Sequence, residues 1–137
     1  MDNKYTLNLL FDNHGRQLNY LRLAVTDRCN LRCFYCMPEE GLNFSKKSQI
    51  LSYEEMERLI GILAKLGISK VRITGGEPFV RKDLVPFMKT VSEIHGIERL
   101  SITTNGTGPL SQIEDLKAMG IHAVNLSLDC LDRERFN

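Results

Sequence analysis

The sequence predicts a parallel α/β fold, and three observations carry that expectation. Short runs of β-branched and apolar residues alternate with amphipathic segments on a rhythm of roughly thirty residues or more. The amphipathic segments open on capping signals, and two of them close near a glycine. Each short run leads into a turn or polar loop carrying a distinctive motif, and parallel α/β folds gather ligands at the carboxyl ends of their strands.

In chain order, Asp12-Asn13-His14-Gly15 predicts a hairpin turn within an N-terminal extension, residues 1–20, that precedes a core over residues 21–137. Residues 21–26, 71–74, 100–104 and 123–128 predict four parallel strands. The first helix takes Ser52 and Glu55 as a capping box, sets Met56, Leu59, Ile60 and Leu63 on one face, and stops at Gly67. The second takes Asp83 as its cap, with Leu84, Phe87, Met88 and Val91 facing the core. The third repeats the capping box with Ser111 and Glu114 ahead of Ile113 and Leu116, and ends near Gly120.

Composition narrows the function classes. The 137 residues are 42% hydrophobic and 26% charged, ordinary globular material for one domain or part of one. A formal net charge of +1 offers no basic field for nucleic acid. The apolar runs are too short to span a bilayer, and Met1-Asp2-Asn3-Lys4-Tyr5 is no apolar leader, so the expectation is a cytoplasmic protein with reduced cysteines. Lys46-Lys47 and Arg81-Lys82 read as solvated charges.

The motif with the most chemistry follows the first strand, where Cys29, Cys33 and Cys36 form C-x-x-x-C-x-x-C. Three thiolates suit an iron–sulfur cube with one iron left open for an exchangeable ligand. A zinc site is the alternative, but its fourth ligand would have to come from Cys130, His14, His95 or His122, all distant in sequence. Unrelated thiols are a third reading. Cys130 itself reads as a small, partly buried thiol, and the histidines as turn or helix-end residues. After the second strand, Gly75-Gly76-Glu77-Pro78 places paired glycines where backbone can approach a ligand. Glu77 could touch that ligand or brace its own loop.

Strand alternation adds an independent observation. With Leu21, Leu23 and Val25 turned to the helices, Arg22, Ala24 and Thr26 turn inward. The same logic turns Arg72, Thr74, Ser101, Thr103, Asn125, Ser127 and Asp129 inward. Two inward arginines need anions, supplied either by Asp27, Glu77 or Asp129 or by a polyphosphate that matches guanidinium forks.

Together these motifs make the chain resemble the radical S-adenosylmethionine superfamily. Within it, residues 21–33, Tyr35-Cys36-Met37-Pro38, residues 72–78 and Thr103-Thr104-Asn105-Gly106 are similar to the GTP 3′,8-cyclase family of molybdenum cofactor biosynthesis. The resemblance implies a partial (βα)6 TIM-like barrel, of which this chain would be the first part, truncated after strand four. It implies a 4Fe-4S cluster on Cys29, Cys33 and Cys36, with S-adenosylmethionine chelated at the open iron. Tyr35, Gly75, Gly76 and Ser127 would contact S-adenosylmethionine, while Arg22, Arg72 and Thr103 would contact GTP, the two arginines also serving catalysis. In that family a 5′-deoxyadenosyl radical takes hydrogen from the ribose C3′ of GTP, beginning its conversion to 3′,8-cyclo-7,8-dihydroguanosine 5′-triphosphate. A one-electron reductant is then a required partner. The family's second cluster has no cysteines here, so the expectation includes inactivity of this length alone and self-association through the uncovered fourth strand. A radical enzyme acting on a peptide and a non-catalytic remnant remain the alternatives.

Overall fold

The computed structural model describes residues 9–37, 40, 42–132 and 134. The first eight residues of the expected extension, and Pro38 of the cysteine-loop motif, lie outside that set. Four strands, β1 (Tyr20–Ala24), β2 (Lys70–Thr74), β3 (Arg99–Thr104) and β4 (Ala123–Leu126), form one sheet in sequence order. Every pairing is parallel. Helices α1 (Tyr53–Lys65), α2 (Leu84–Ser92) and α3 (Leu110–Ala118) supply the connections. Among the described residues no helix is long and apolar enough to cross a membrane.

The hairpin forms, with Phe11 bridged to Gln17 and Leu18 N–H donating to the Leu10 carbonyl at 2.8 Å. His14 lies in its turn, while His122 pairs with Leu100 through backbone and ring, so both serve local structure.

The sheet's period of two separates its faces. Leu23, Ile73 and Ile102 stand abreast on the helix side and, with Val25, Val71 and Leu100, pack on Met56, Ile60, Phe87, Met88, Val91 and Leu116. The other face carries Arg22, Arg72 and Ser101 in one row and Ala24, Thr74, Thr103 and Asn125 in the next. That polar face is open: Arg22 and Ala24 are exposed and Arg72 and Thr103 half-buried. On β4 and beyond, Val124, Leu126 and Leu128 are all more than two-fifths exposed.

Helix α1 starts as the sequence predicts, with Glu55 N–H donating to Ser52 Oγ at 3.2 Å and Ser52 N–H to Glu55 Oε2 at 2.7 Å. Its buried stripe is narrower than expected: Met56 and Ile60 are buried, while Leu59 reaches solvent. Of the other two caps, one falls where expected and one does not. Asp83 occupies the cap of α2 in the left-handed region, φ 59°, and its side chain makes no capping bond. Asp tolerates that conformation because its short polar side chain carries a smaller steric penalty there than most. In α3 the cap is Pro109, whose fixed φ starts the helix early and carries Ser111 inside it. Arg81, expected in solvent, instead donates to the Val25 and Leu51 carbonyls at 2.6 and 2.8 Å and lies 4.1 Å over the Tyr53 ring.

Ile73, fully buried on a central strand, is the most direct test of this packing. Ile73→Ala is expected to cost about 2–5 kcal/mol in urea denaturation, and a loss under about 0.5 kcal/mol would contradict the core described.

Candidate functional site

The cysteine loop is launched by a zipper between the exits of β1 and β2. Val25 N–H donates to the Thr74 carbonyl, Gly76 N–H to that of Thr26 and Glu77 N–H to that of Arg28, at 2.8–2.9 Å. Gly75 has φ +142°, and a Cβ there would collide with the Thr26 carbonyl; one on Gly76 would collide with that of Arg28. The space left by the missing side chains is therefore filled by the cysteine loop's own backbone, where the sequence suggested a ligand. The carbonyls of Gly75 and Gly76 accept no hydrogen bond from the described residues.

Beyond the zipper, a turn closes where Cys36 N–H and Met37 N–H both donate to the Cys33 carbonyl at 2.9 Å. Arg32 donates to the carbonyls of Cys29 and Leu31, and with Arg28 it lies against the Phe44 ring. Cys29 and Cys33 are half-buried, Cys36 is exposed, and all three are free thiols, as is half-buried Cys130. Cys29 Sγ accepts from Leu31 N–H at 3.4 Å and from Asn105 Nδ2 at 3.7 Å.

Among the described residues, no three His, Cys, Asp or Glu side chains converge on a point where one ion could sit. Each thiolate of an iron–sulfur cube binds a different iron, so such sulfurs surround their group without converging on one centre. A soft three-thiolate donor set on one short loop, with N–H groups directed at one sulfur, fits a cluster better than a four-ligand zinc site.

Glu77 settles between its two readings as a brace. It is 1% exposed, and its carboxylate accepts from Thr104 Oγ1 at 2.8 Å, Asn105 N–H at 2.7 Å and Phe79 N–H at 3.2 Å. The exits of β2 and β3 are thereby tied together. The exit of β4 joins through Tyr35, whose hydroxyl donates to Asp129 Oδ2 at 2.7 Å. Ser127 N–H continues the ladder to the Thr104 carbonyl, leaving its side chain exposed. All four strand exits thus meet at the cysteine loop. An open cavity of about 500 Å³ adjoins it, lined by Thr26, Asp27, Thr74, Gly75 and Gly76 among others. Asp27 holds a buried Oδ1 in that wall with no hydrogen-bond partner among the described residues, while Ser45 N–H on Oδ2 keeps its carboxyl below the usual range.

Arg22 and Arg72 stand directly opposite each other on β1 and β2, away from the cysteines and toward the middle of the open face. The carboxylates that could have neutralised them are engaged elsewhere: Asp27 with Ser45, Glu77 with Thr104 and Asn105, and Asp129 with Tyr35. Arg72 makes a long contact with Ser101 Oγ at 3.4 Å and lies 5.7 Å from the Tyr20 ring centre. Because the face is open, water meets much of the desolvation cost expected for these arginines, and the pressure for an anion comes from like charges side by side. Asn30 and Asn105 lie within the sequence motifs but carry no role there, and Thr107, which joins them in one hydrogen-bonded group, lies just past Thr103-Thr104-Asn105-Gly106.

Gly76→Ala is expected to displace the cysteine loop and cut iron retained after anaerobic reconstitution several-fold, since backbone cannot yield as a side chain would. Wild-type iron content in that variant would contradict the zipper. The Tyr35 phenol is pushed up to about 12, chiefly because it donates to the Asp129 carboxylate. Its raised value means the contact is intact below the ordinary 10.0 and is lost as pH rises through about 12. Asp129→Asn should bring one tyrosine back toward 10 in an ultraviolet absorbance titration, and an unchanged curve would refute the contact.

The Radical SAM superfamily profile matches residues 23–137. A protein of Heliobacterium modesticaldum named GTP 3′,8-cyclase is 53% identical over 127 residues, which are 93% of this chain and 39% of that protein. One of the same name from Peptoclostridium acidaminophilum is 46% identical over 136 residues, 99% of this chain and 41% of the relative. The chain thus spans about two fifths of the length of the curated relatives it matches. Among solved structures, Streptococcus suis SuiB bound to S-adenosylmethionine has a TM-score of 0.67 at 26% identity, covering 86% of this chain and 27% of SuiB. BtrN in complex with AdoMet and 2-DOIA has a TM-score of 0.63 at 20% identity, covering 88% of this chain and 50% of BtrN, a likeness of fold alone. With the profile extending over most of its length and the cysteine loop at the mouth of its sheet, the chain belongs to the radical SAM superfamily, whose cofactors are a 4Fe-4S cluster and S-adenosylmethionine.

Proposed function

We propose that this chain is the cluster-bearing and S-adenosylmethionine-binding part of a GTP 3′,8-cyclase, the enzyme of the first step of molybdenum cofactor biosynthesis. The observation that carries the reading is the pair Arg22 and Arg72, abreast on one open face with no carboxylate partner among the described residues. Two positive charges side by side on one face suit a polyphosphate, whose oxygens accept paired guanidinium bonds. The 46–53% identity to proteins named GTP 3′,8-cyclase supports the same choice.

In this reading Cys29, Cys33 and Cys36 hold the cluster. When bound, it supplies the single electron that cleaves the S-adenosylmethionine sulfonium to a 5′-deoxyadenosyl radical. The free carbonyls of Gly75 and Gly76 accept from the methionine amino group, the Tyr35 backbone meets the adenine, and the Ser127 hydroxyl reaches the cosubstrate from β4. Arg22 and Arg72 bind the triphosphate, and Thr103, one row further along the inner face, takes a polar contact with GTP. Holding both molecules over one sheet keeps the ribose C3′ hydrogen near the radical carbon, so the arginines act by positioning as well as by charge. The reaction needs a one-electron reductant, and free thiols in the loop suit a cytoplasmic setting. No nucleic acid or membrane enters the scheme, and the exposed apolar edge of β4 suits self-association.

A peptide substrate is the second reading, supported by the 26% identity to SuiB, a structure of which is bound to the precursor peptide SuiA. Competition separates the two. Arg72→Lys should weaken GTP retention about tenfold while leaving iron content unchanged, because an ammonium cannot reproduce the fork. Unchanged GTP affinity, or displacement of GTP by peptide but not by other nucleotides, would overturn the nucleotide reading. Cys33→Ala should abolish both cluster uptake and S-adenosylmethionine cleavage; retained cleavage would remove the cluster assignment.

A further inference from the structure

We infer that Asn105 is a positioning residue for the cluster's first ligand: its side-chain amide, held by Thr107 and Asn30 on a backbone pinned by Glu77, directs an N–H at the Cys29 sulfur and raises the potential at which the cluster accepts an electron. The inference rests on Cys29 being a cluster ligand.

Every hydrogen-bonding position of this amide is engaged. Nδ2 donates to Cys29 Sγ at 3.7 Å and to Asn30 Oδ1 at 3.0 Å. Oδ1 accepts from Thr107 N–H at 3.0 Å and from Thr107 Oγ1 at 2.7 Å. Asn30 Nδ2 closes the ring on Thr107 Oγ1 at 2.7 Å. The amide cannot turn over: a flip would point Oδ1 at the sulfur and at Asn30 Oδ1, and leave Thr107 N–H facing another donor. Its backbone is fixed from below by the buried Glu77 carboxylate at 2.7 Å. A rigid chain of contacts therefore runs from the exit of β2, through the exit of β3, to one sulfur of the cysteine loop.

The consequence is electrostatic. Reduction adds an electron to a cluster whose charge is shared with its thiolates, and an N–H donor aimed at a sulfur favours the more negative state. Leu31 N–H supplies one such donor from within the loop, and Asn105 supplies the other from a different strand. The second donor links the electron-accepting group to the sheet that positions the substrate.

The test uses the anaerobically reconstituted protein and its Asn105→Ala, Asn105→Asp and Asn30→Ala variants. Iron per chain and the midpoint potential of the cluster, followed by electron paramagnetic resonance, are read for each. Asn105→Ala is expected to make reduction less favourable by about tenfold in equilibrium constant, ~59 mV for one electron, with Asn105→Asp shifting further in the same direction. Asn30→Ala, which keeps the N–H on sulfur, should stay near wild type in potential. If Asn105→Ala and Asn30→Ala lose iron equally while the remaining cluster titrates at the wild-type potential, Asn105 is only a loop latch and the inference fails. Should Asn105→Ala retain no cluster at all, Asn105→Asp and Asn30→Ala decide by the same criterion. Failure of the wild-type protein to take up iron would instead overturn the cluster reading on which the inference rests.

Discussion

The arrangement depends on one buried carboxylate. Glu77 is shut away from water with three hydrogen-bond donors and, among the described residues, no cation beside it. Burying a carboxylate costs several kcal/mol unless its oxygens are bonded, so the loops supplying those donors are held to the positions where they can do so. Two donors come from the exit of β3 and one from Phe79 just beyond Glu77, while the Glu77 backbone is itself zipped to Arg28 ahead of the first cysteine. Three strand exits are locked into one unit by a group that need touch no ligand.

That lock explains why glycine is required at two successive positions. Parallel strands diverge at their exits unless something draws them together, and here the backbones of residues 26–28 and 75–77 approach until no Cβ fits between them. The cysteine loop is presented by packed backbone, which moves less than side chains do, and a reactive cofactor needs that constancy. The helix side of the sheet supplies the rigidity, and the opposite, polar side is left open.

The four parallel strands, their order of appearance and most of the core were legible because period-two apolar runs and helix spacing report burial directly. Ser52 with Glu55 could be read as a cap because the two residues satisfy each other locally. Asp83 could be placed at the cap of α2 but not its left-handed backbone or its missing capping bond, and Ser111 was displaced from the cap of α3 by the earlier start at Pro109. The cysteines, the glycine pair and the two arginines were visible by type and spacing. Bracing was one of two roles open for Glu77, but its reach to the exit of β3 and the role of Asn105 were not visible, because each rests on contacts spanning from 27 to 76 positions in sequence. Arg81 misled for the same reason: a charge beside another charge looks solvated until a distant carbonyl is found beneath it.

The central claim is that the locked strand exits hold three thiolates around a cluster with one iron open to S-adenosylmethionine. The most direct measurement is iron content after anaerobic reconstitution, paired with 5′-deoxyadenosine released on adding dithionite and S-adenosylmethionine. The account predicts about four irons per chain and release of 5′-deoxyadenosine. A chain that takes up no cluster, or holds one yet leaves S-adenosylmethionine intact, would contradict it.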